Sequence, residues 1–143
     1  MSNEDIRWIQ RFNNYTKALD QLTKFMERDS LNELEEQGLI QSFEYNHELA
    51  WKTLKDFLEY KGKSDLFGSR DVSREAFKHG LLGDTEKAGS IWLDMIEKRN
   101  LTSHTYNEET AQAIVRAIAD DYFDAFVALR KRLQLLADKD MGS

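Results

Sequence analysis

Phe43-Glu44-Tyr45-Asn46-His47-Glu48-Leu49-Ala50-Trp51-Lys52-Thr53-Leu54-Lys55-Asp56-Phe57-Leu58 is the stretch whose reading decides the fold. Phe43, Asn46, His47, Ala50, Trp51, Leu54, Phe57 and Leu58 recur in it at spacings of three and four, the period of a helix with one inward face. The pattern reaches back through Leu39 and Ile40 and on to Tyr60. It predicts a helix from about Glu35 to Tyr60, on the order of 40 Å long, stopped by Gly62.

The same period governs the chain on either side. Trp8, Phe12, Tyr15, Leu19, Leu22 and Met26 mark a first helix from Ile6 to Met26. After a loop over Lys63 to Arg70, a short helix runs from Asp71 to about His79, capped by Asp71 or Ser69, with Val72, Ala76 and Phe77 turned inward. Asp84 caps a helix whose stripe is Ala88, Ile91, Trp92, Met95 and Ile96, and which delivers Arg99 and Asn100 at its end. A turn from His104 to Asn107 follows. Asn107 then caps a long last helix that reaches about Ala137 through Ala111, Ile114, Ile118, Tyr122, Phe126, Leu129 and Leu133, leaving residues 138–143 as a frayed tail. No strand pattern and no internal repeat is present. The expectation is an all-α chain, one domain over residues 1–143, folded as an antiparallel up-and-down four-helix bundle with one additional short helix.

Composition narrows the chemistry. Among 143 residues there is no Cys, which removes disulfides, thiolate metal sites and a Cys nucleophile, and no Pro, as long uninterrupted helices require. A polar, acidic start and the lack of an apolar run of about 18 residues point to a cytoplasmic protein that avoids membranes. Twenty Lys and Arg stand against 26 Asp and Glu, a net charge of −6. Any nucleic-acid site must therefore be a local basic pocket on an acidic body. With 8 Phe, 5 Tyr and 3 Trp, some aromatics are expected on a face used for self-association.

The unusual chemistry collects in Glu97-Lys98-Arg99-Asn100-Leu101-Thr102-Ser103-His104-Thr105-Tyr106. A neutral imidazole can take a proton from a ribose 2′-hydroxyl and return one to a leaving 5′-oxygen, while a guanidinium stabilises the phosphorane. Arg99 and His104 are the candidate pair for such metal-independent RNA cleavage, with Asn100 in support. Five positions apart, they diverge by about 140° on an unbroken helix. To meet, they need either a helix end near Leu101 to Ser103 or a second copy across a two-fold axis. Spacing also allows a plainer role, since cations at a helix C-terminus bond its last carbonyls.

Other residues carry weaker signals. His47 faces inward and reads first as a core histidine, and His79 beside Gly80 as a helix end. Glu44, Glu48, Asp94 and Glu97 have helical spacing without a paired histidine, so no metal is expected. Arg70, Arg74 and Lys78 form one basic stripe on the short helix, a candidate phosphate track for RNA.

The block from Phe43 to Leu58, then Ser73-Arg74-Glu75-Ala76-Phe77, then Trp92-Leu93-Asp94-Met95 through Tyr106, resembles the HepT-like branch of the HEPN superfamily. That branch is also described as the nucleotidyltransferase substrate-binding protein family. Its pattern of Arg, four residues, His, one residue, Tyr is met by Arg99, His104 and Tyr106, and Asn100 matches its polar residue after the arginine. The resemblance implies a helical-bundle homodimer, or a higher oligomer, acting as an endoribonuclease toxin of a toxin-antitoxin pair through Arg99 and His104 in a composite cleft, without a cofactor. It implies a partner minimal nucleotidyltransferase that neutralises the toxin by moving AMP from ATP onto Tyr106. Two further readings stay open: a non-catalytic substrate-binding subunit of a two-chain nucleotidyltransferase, and a purely structural helical dimer.

Overall fold

Asn32 opens the central helix. Its side-chain oxygen accepts the Glu35 backbone N–H at 2.8 Å, and the Glu35 carboxylate accepts the Asn32 backbone N–H at 3.0 Å. This capping box satisfies two otherwise free donors and starts α2 at Glu33, two residues before the periodicity places it; α2 then runs to Tyr60. The structure is a computed structural model; it describes the backbone of residues 3–104 and 107–142 and the side chains of residues 7–102 and 107–140.

Helix α1 (Asn3–Met26) lies antiparallel along α2. The Trp8 ring sits 5.0 Å from Phe57 at one end, and Asn46 Nδ2 donates to the Ala18 carbonyl at 3.1 Å near the middle. At the other end the pair closes on Gly38, where an added Cβ would come within 3.2 Å of the Phe25 ring. The helix-weakening glycine there admits that ring.

Helix α3 (Ser69–Lys78) starts two residues earlier than expected, behind an extended Gly68 that makes no side-chain cap bond. Neither Asp71 nor Ser69 is the cap. Asp71 instead falls in the first turn, where its charge complements the helix dipole. Helix α4 (Glu86–His104) is capped by Thr85, whose hydroxyl accepts the Ala88 N–H at 3.1 Å, and not by Asp84.

The turn expected from His104 begins later: the backbone is helical through His104, so of the two ways for Arg99 and His104 to meet, a helix end near Leu101 to Ser103 is not found. No Gly or Pro interrupts that turn, and the Thr102 hydroxyl donates to the Arg99 carbonyl at 2.7 Å, bonding back onto the helix instead of leaving it.

The single long last helix is corrected too. Helix α5 (Glu108–Ala117), capped by Asn107, passes into a π-helical turn at Ile118–Tyr122 and then into α6 (Phe123–Gly142), which continues past Ala137 as far as Gly142 where a frayed tail is expected. Buried Ile114, Ile118, Tyr122 and Phe126 are three consecutive steps of four. On an α-helix each such step walks about 40° off the buried line. The wider turn, closed by the Phe123 N–H on the Ile118 carbonyl, absorbs the excess and keeps the stripe inward.

The result is the expected up-down-up-down bundle of α1, α2, α4 and α5–α6, with α3 against α2 and α4 and no strand among the described residues. Phe43 stacks on Tyr122 at 5.2 Å, Trp92 meets Phe126 edge-on at 5.6 Å, and Tyr15 donates to the Phe126 carbonyl at 2.7 Å. Among the described residues no helix is long and apolar enough to cross a membrane. Among the described residues, Tyr45 and Phe67 are the exposed large aromatics.

Candidate active site at the end of α4

Arg99 leaves the last turns of α4 toward α2, where its Nη2 lies 3.2 Å from Glu48 Oε2. Glu48 is itself held on its own helix: Lys52 Nζ, four residues on, is 2.8 Å from Oε1, and Trp51 Nε1 donates to Oε2 at 3.3 Å. Burial pushes the Glu48 carboxyl up, but the Lys52 and Trp51 hydrogen bonds and the Arg99 charge outweigh it and leave the group below the usual carboxylate range. The site therefore presents a fixed guanidinium anchored by an ionised acid.

Beneath this pair lies His47, 1% exposed, with its ring 6.3 Å from Phe43 and 6.4 Å from Trp92. Neither ring nitrogen has a hydrogen-bond partner among the described residues. Burial, and secondly the Arg99 charge, lowers its pKa to about 4, Glu48 opposing. It is the expected core histidine. Because the unfolded chain takes up that proton near the ordinary value of about 6.5, protons bind the unfolded state preferentially between about pH 6.5 and 4. Stability should thus fall as pH drops through this window, by up to about 1.4 kcal/mol per pH unit from this group. Urea unfolding at pH 7 and pH 5 checks it: His47→Leu should show a shallower loss than wild type, and equal losses would remove the assignment.

Asn100 is exposed beside Arg99. Position 104 lies on the same unbroken helix, so the backbone sets positions 99 and 104 about 140° apart around its axis. The His104 side chain and all of Tyr106 lie outside the described residues. The basic stripe Arg70, Arg74 and Lys78 is exposed on α3, but Arg74 and Lys78 border a cleft with the first half of α4, ending at Leu93. Arg99 is six residues farther on and about 120° round that helix. The stripe and the Arg99 site are thus not one surface within a single chain. Glu44, Glu48, Asp94 and Glu97 are not gathered into a metal-holding group among the described residues. Asp94 instead accepts the Tyr122 hydroxyl and pairs with Lys98 at 3.3 Å. His79 pairs with Glu75 at 3.1 Å at the end of α3.

Glu48, weighed from the sequence only as a metal ligand, and Lys52, which the sequence does not single out, are the neighbours that hold Arg99. Their spacing of four is the available signal for mutual pairing. Nothing local in the sequence links either to Arg99.

Residues 10–135 match the family model described as nucleotidyltransferase substrate binding protein like. A probable ribonuclease HepT of Haemophilus influenzae is 36% identical over 101 residues, covering 68% of this chain and 66%, just under two thirds, of that protein. A crystal structure of a Thermus thermophilus protein superimposes with a TM-score of 0.75 at 34% identity, over 83% of this chain and 98% of that one. A Haemophilus influenzae structure, described as showing the fold of a substrate binding domain of a nucleotidyltransferase, gives a TM-score of 0.62 at 30% identity over 91% and 98%. The MntA–HepT toxin-antitoxin structure shares the fold, with a TM-score of 0.55 at 16% identity over 94% and 99%.

Proposed function

The chain belongs to the nucleotidyltransferase substrate binding protein like family, in the HepT-like branch of the HEPN superfamily, and on that premise we propose that it is a metal-independent endoribonuclease toxin. The observation that carries the reading is the fixed Arg99 guanidinium, held by Glu48 on a helix that continues unbroken to His104. An unbroken helix turns positions 99 and 104 away from each other, and in this reading the histidine that works opposite Arg99 is supplied by a second copy of the chain.

In that composite site the His104 imidazole of one protomer removes the 2′-hydroxyl proton, and the 2′-oxygen attacks phosphorus. Arg99 stabilises the charge on the phosphorane, with Asn100 in support. The P–O5′ bond breaks, the 5′-oxygen is protonated by imidazolium, and the products are a 2′,3′-cyclic phosphate and a free 5′-hydroxyl. A partner nucleotidyltransferase silences the enzyme by transferring AMP from ATP to the Tyr106 hydroxyl, releasing pyrophosphate. The added negative charge and bulk occupy the place RNA needs.

Purified protein incubated with RNA in a chelator should yield 2′,3′-cyclic ends. His104→Ala should not, and Tyr106→Phe should cut but resist silencing by the partner. Inertness of the wild type toward every RNA would contradict the reading.

A second reading is favoured by the 30%-identical Haemophilus structure described as a substrate binding domain: a non-catalytic subunit that presents a substrate to a separate nucleotidyltransferase. Mass spectrometry separates the two. Under the toxin reading AMP appears on Tyr106, and under the second it appears on a small molecule while this chain stays unmodified.

A further inference from the structure

The cleft between α3 and α4 has no part in the chemistry above, and its lining is specific. It measures about 360 Å³, within the range of sites that hold small ligands. One wall is the Phe77 ring, which lies so close to the α4 backbone that a Cβ on Gly89 would stand 3.1 Å from it. Leu93 completes an apolar floor.

At that floor Ser73 is 2% exposed, and its Oγ has no hydrogen-bond partner among the described residues. A helical serine ordinarily returns its hydroxyl to a carbonyl one turn back. This one is buried and unsatisfied, a state that costs free energy unless something binds there. Arg74 and Lys78 stand exposed at the rim, while Glu86 is the one carboxylate in the lining. The charge arrangement thus favours an anion on the α3 side and a hydrogen-bond donor near Glu86.

We propose that this cleft binds one nucleotide unit, its base against Phe77 and Leu93 and bonded by Ser73 Oγ, its phosphate on Arg74 and Lys78. A flat heteroaromatic ring suits an aromatic wall and a single buried hydroxyl, and a phosphate suits two cations that need not be desolvated. The unit can be a free mononucleotide or one residue of a single-stranded RNA. Only the RNA source rests on the ribonuclease reading.

Calorimetric titration of the full chain with AMP, and separately with a short single-stranded RNA, tests it. Saturable binding of AMP identifies a free-nucleotide site, and binding of RNA without AMP identifies an RNA subsite. In either case the exposed-site variants Arg74→Glu with Lys78→Glu, and Ser90→Trp, which fills the cleft, should weaken binding at least about tenfold. Ser73→Ala should weaken it less, and Arg99→Ala should leave AMP binding unchanged. An inactive enzyme that still binds AMP this way would end the ribonuclease reading and keep this one. Absence of saturable binding by the wild type, wild-type binding by the charge-reversed variant, or Ser90→Trp breaking self-association while nucleotide binding persists would each overturn the proposal.

Discussion

Arg99→Ala should lower RNA cleavage by about 10² to 10³-fold, the usual loss when one preorganised donor to a developing oxyanion is removed. The fold should survive. Arg99 is only half-buried at the end of α4, and Glu48 keeps Lys52 at 2.8 Å and Trp51 at 3.3 Å when the guanidinium is gone. A melt within about 1 kcal/mol of wild type is therefore expected, the range for a charge near a helix terminus. Glu48→Gln should act through the arginine: it leaves the guanidinium in place but free to wander. Its loss should be smaller, about tenfold, and should appear in kcat more than in KM, since an off-line guanidinium still attracts RNA but no longer meets the transition state. A Glu48→Gln enzyme with wild-type kcat would remove Glu48 from the site.

The second large effect is on stability. Trp92 is 1% exposed, meets Phe126 edge-on at 5.6 Å and covers His47 at 6.4 Å, so it ties α4 to both α2 and α6. Trp92→Ala should cost about 3 to 5 kcal/mol through lost burial and the cavity left behind. For a chain of this length that lowers Tm by about 10 °C or more. Leu135, 71% exposed on α6, is the control, and Leu135→Ala should stay within about 0.5 kcal/mol. Thermal and urea unfolding of the two variants checks this. A Trp92→Ala protein that unfolds with the wild type would mean that α4 is not locked to the bundle where the aromatic contacts place it.

The bundle is legible in the sequence because its helices are long and strongly periodic. Trp8, Phe43, Trp92 and Phe126 each fall on a three-and-four stripe and each is buried. Boundaries are less so. The start of α2 is encoded in Asn32 and Glu35, a pair that reads as a capping box once both are seen, whereas Gly68 opens α3 with no side-chain signal at all. The π-helical turn has a signature in the fours from Ile114 to Phe126, which a plain helical template accepts without noticing the drift. Of the site, Arg99 stands out because cation, amide and imidazole crowd one short segment. Its anchor does not, because Glu48 is 51 positions away in the chain and its partnership exists only after α2 and α4 pack antiparallel. The link between Asp94 and Tyr122 is hidden for the same reason. The continuation of α4 to His104 turns a choice between a broken helix and a second subunit into an argument for the latter.

Cleavage by a mixture of two inactive variants measures most directly whether the site is shared between two chains. Arg99→Ala and His104→Ala chains, unfolded together and refolded at equal concentration, give about half heterodimers, each with one of its two composite sites intact, so the mixture should recover about one quarter of wild-type activity while either variant alone stays inactive. A mixture that forms heterodimers and remains as inactive as its components would contradict a site shared between two chains.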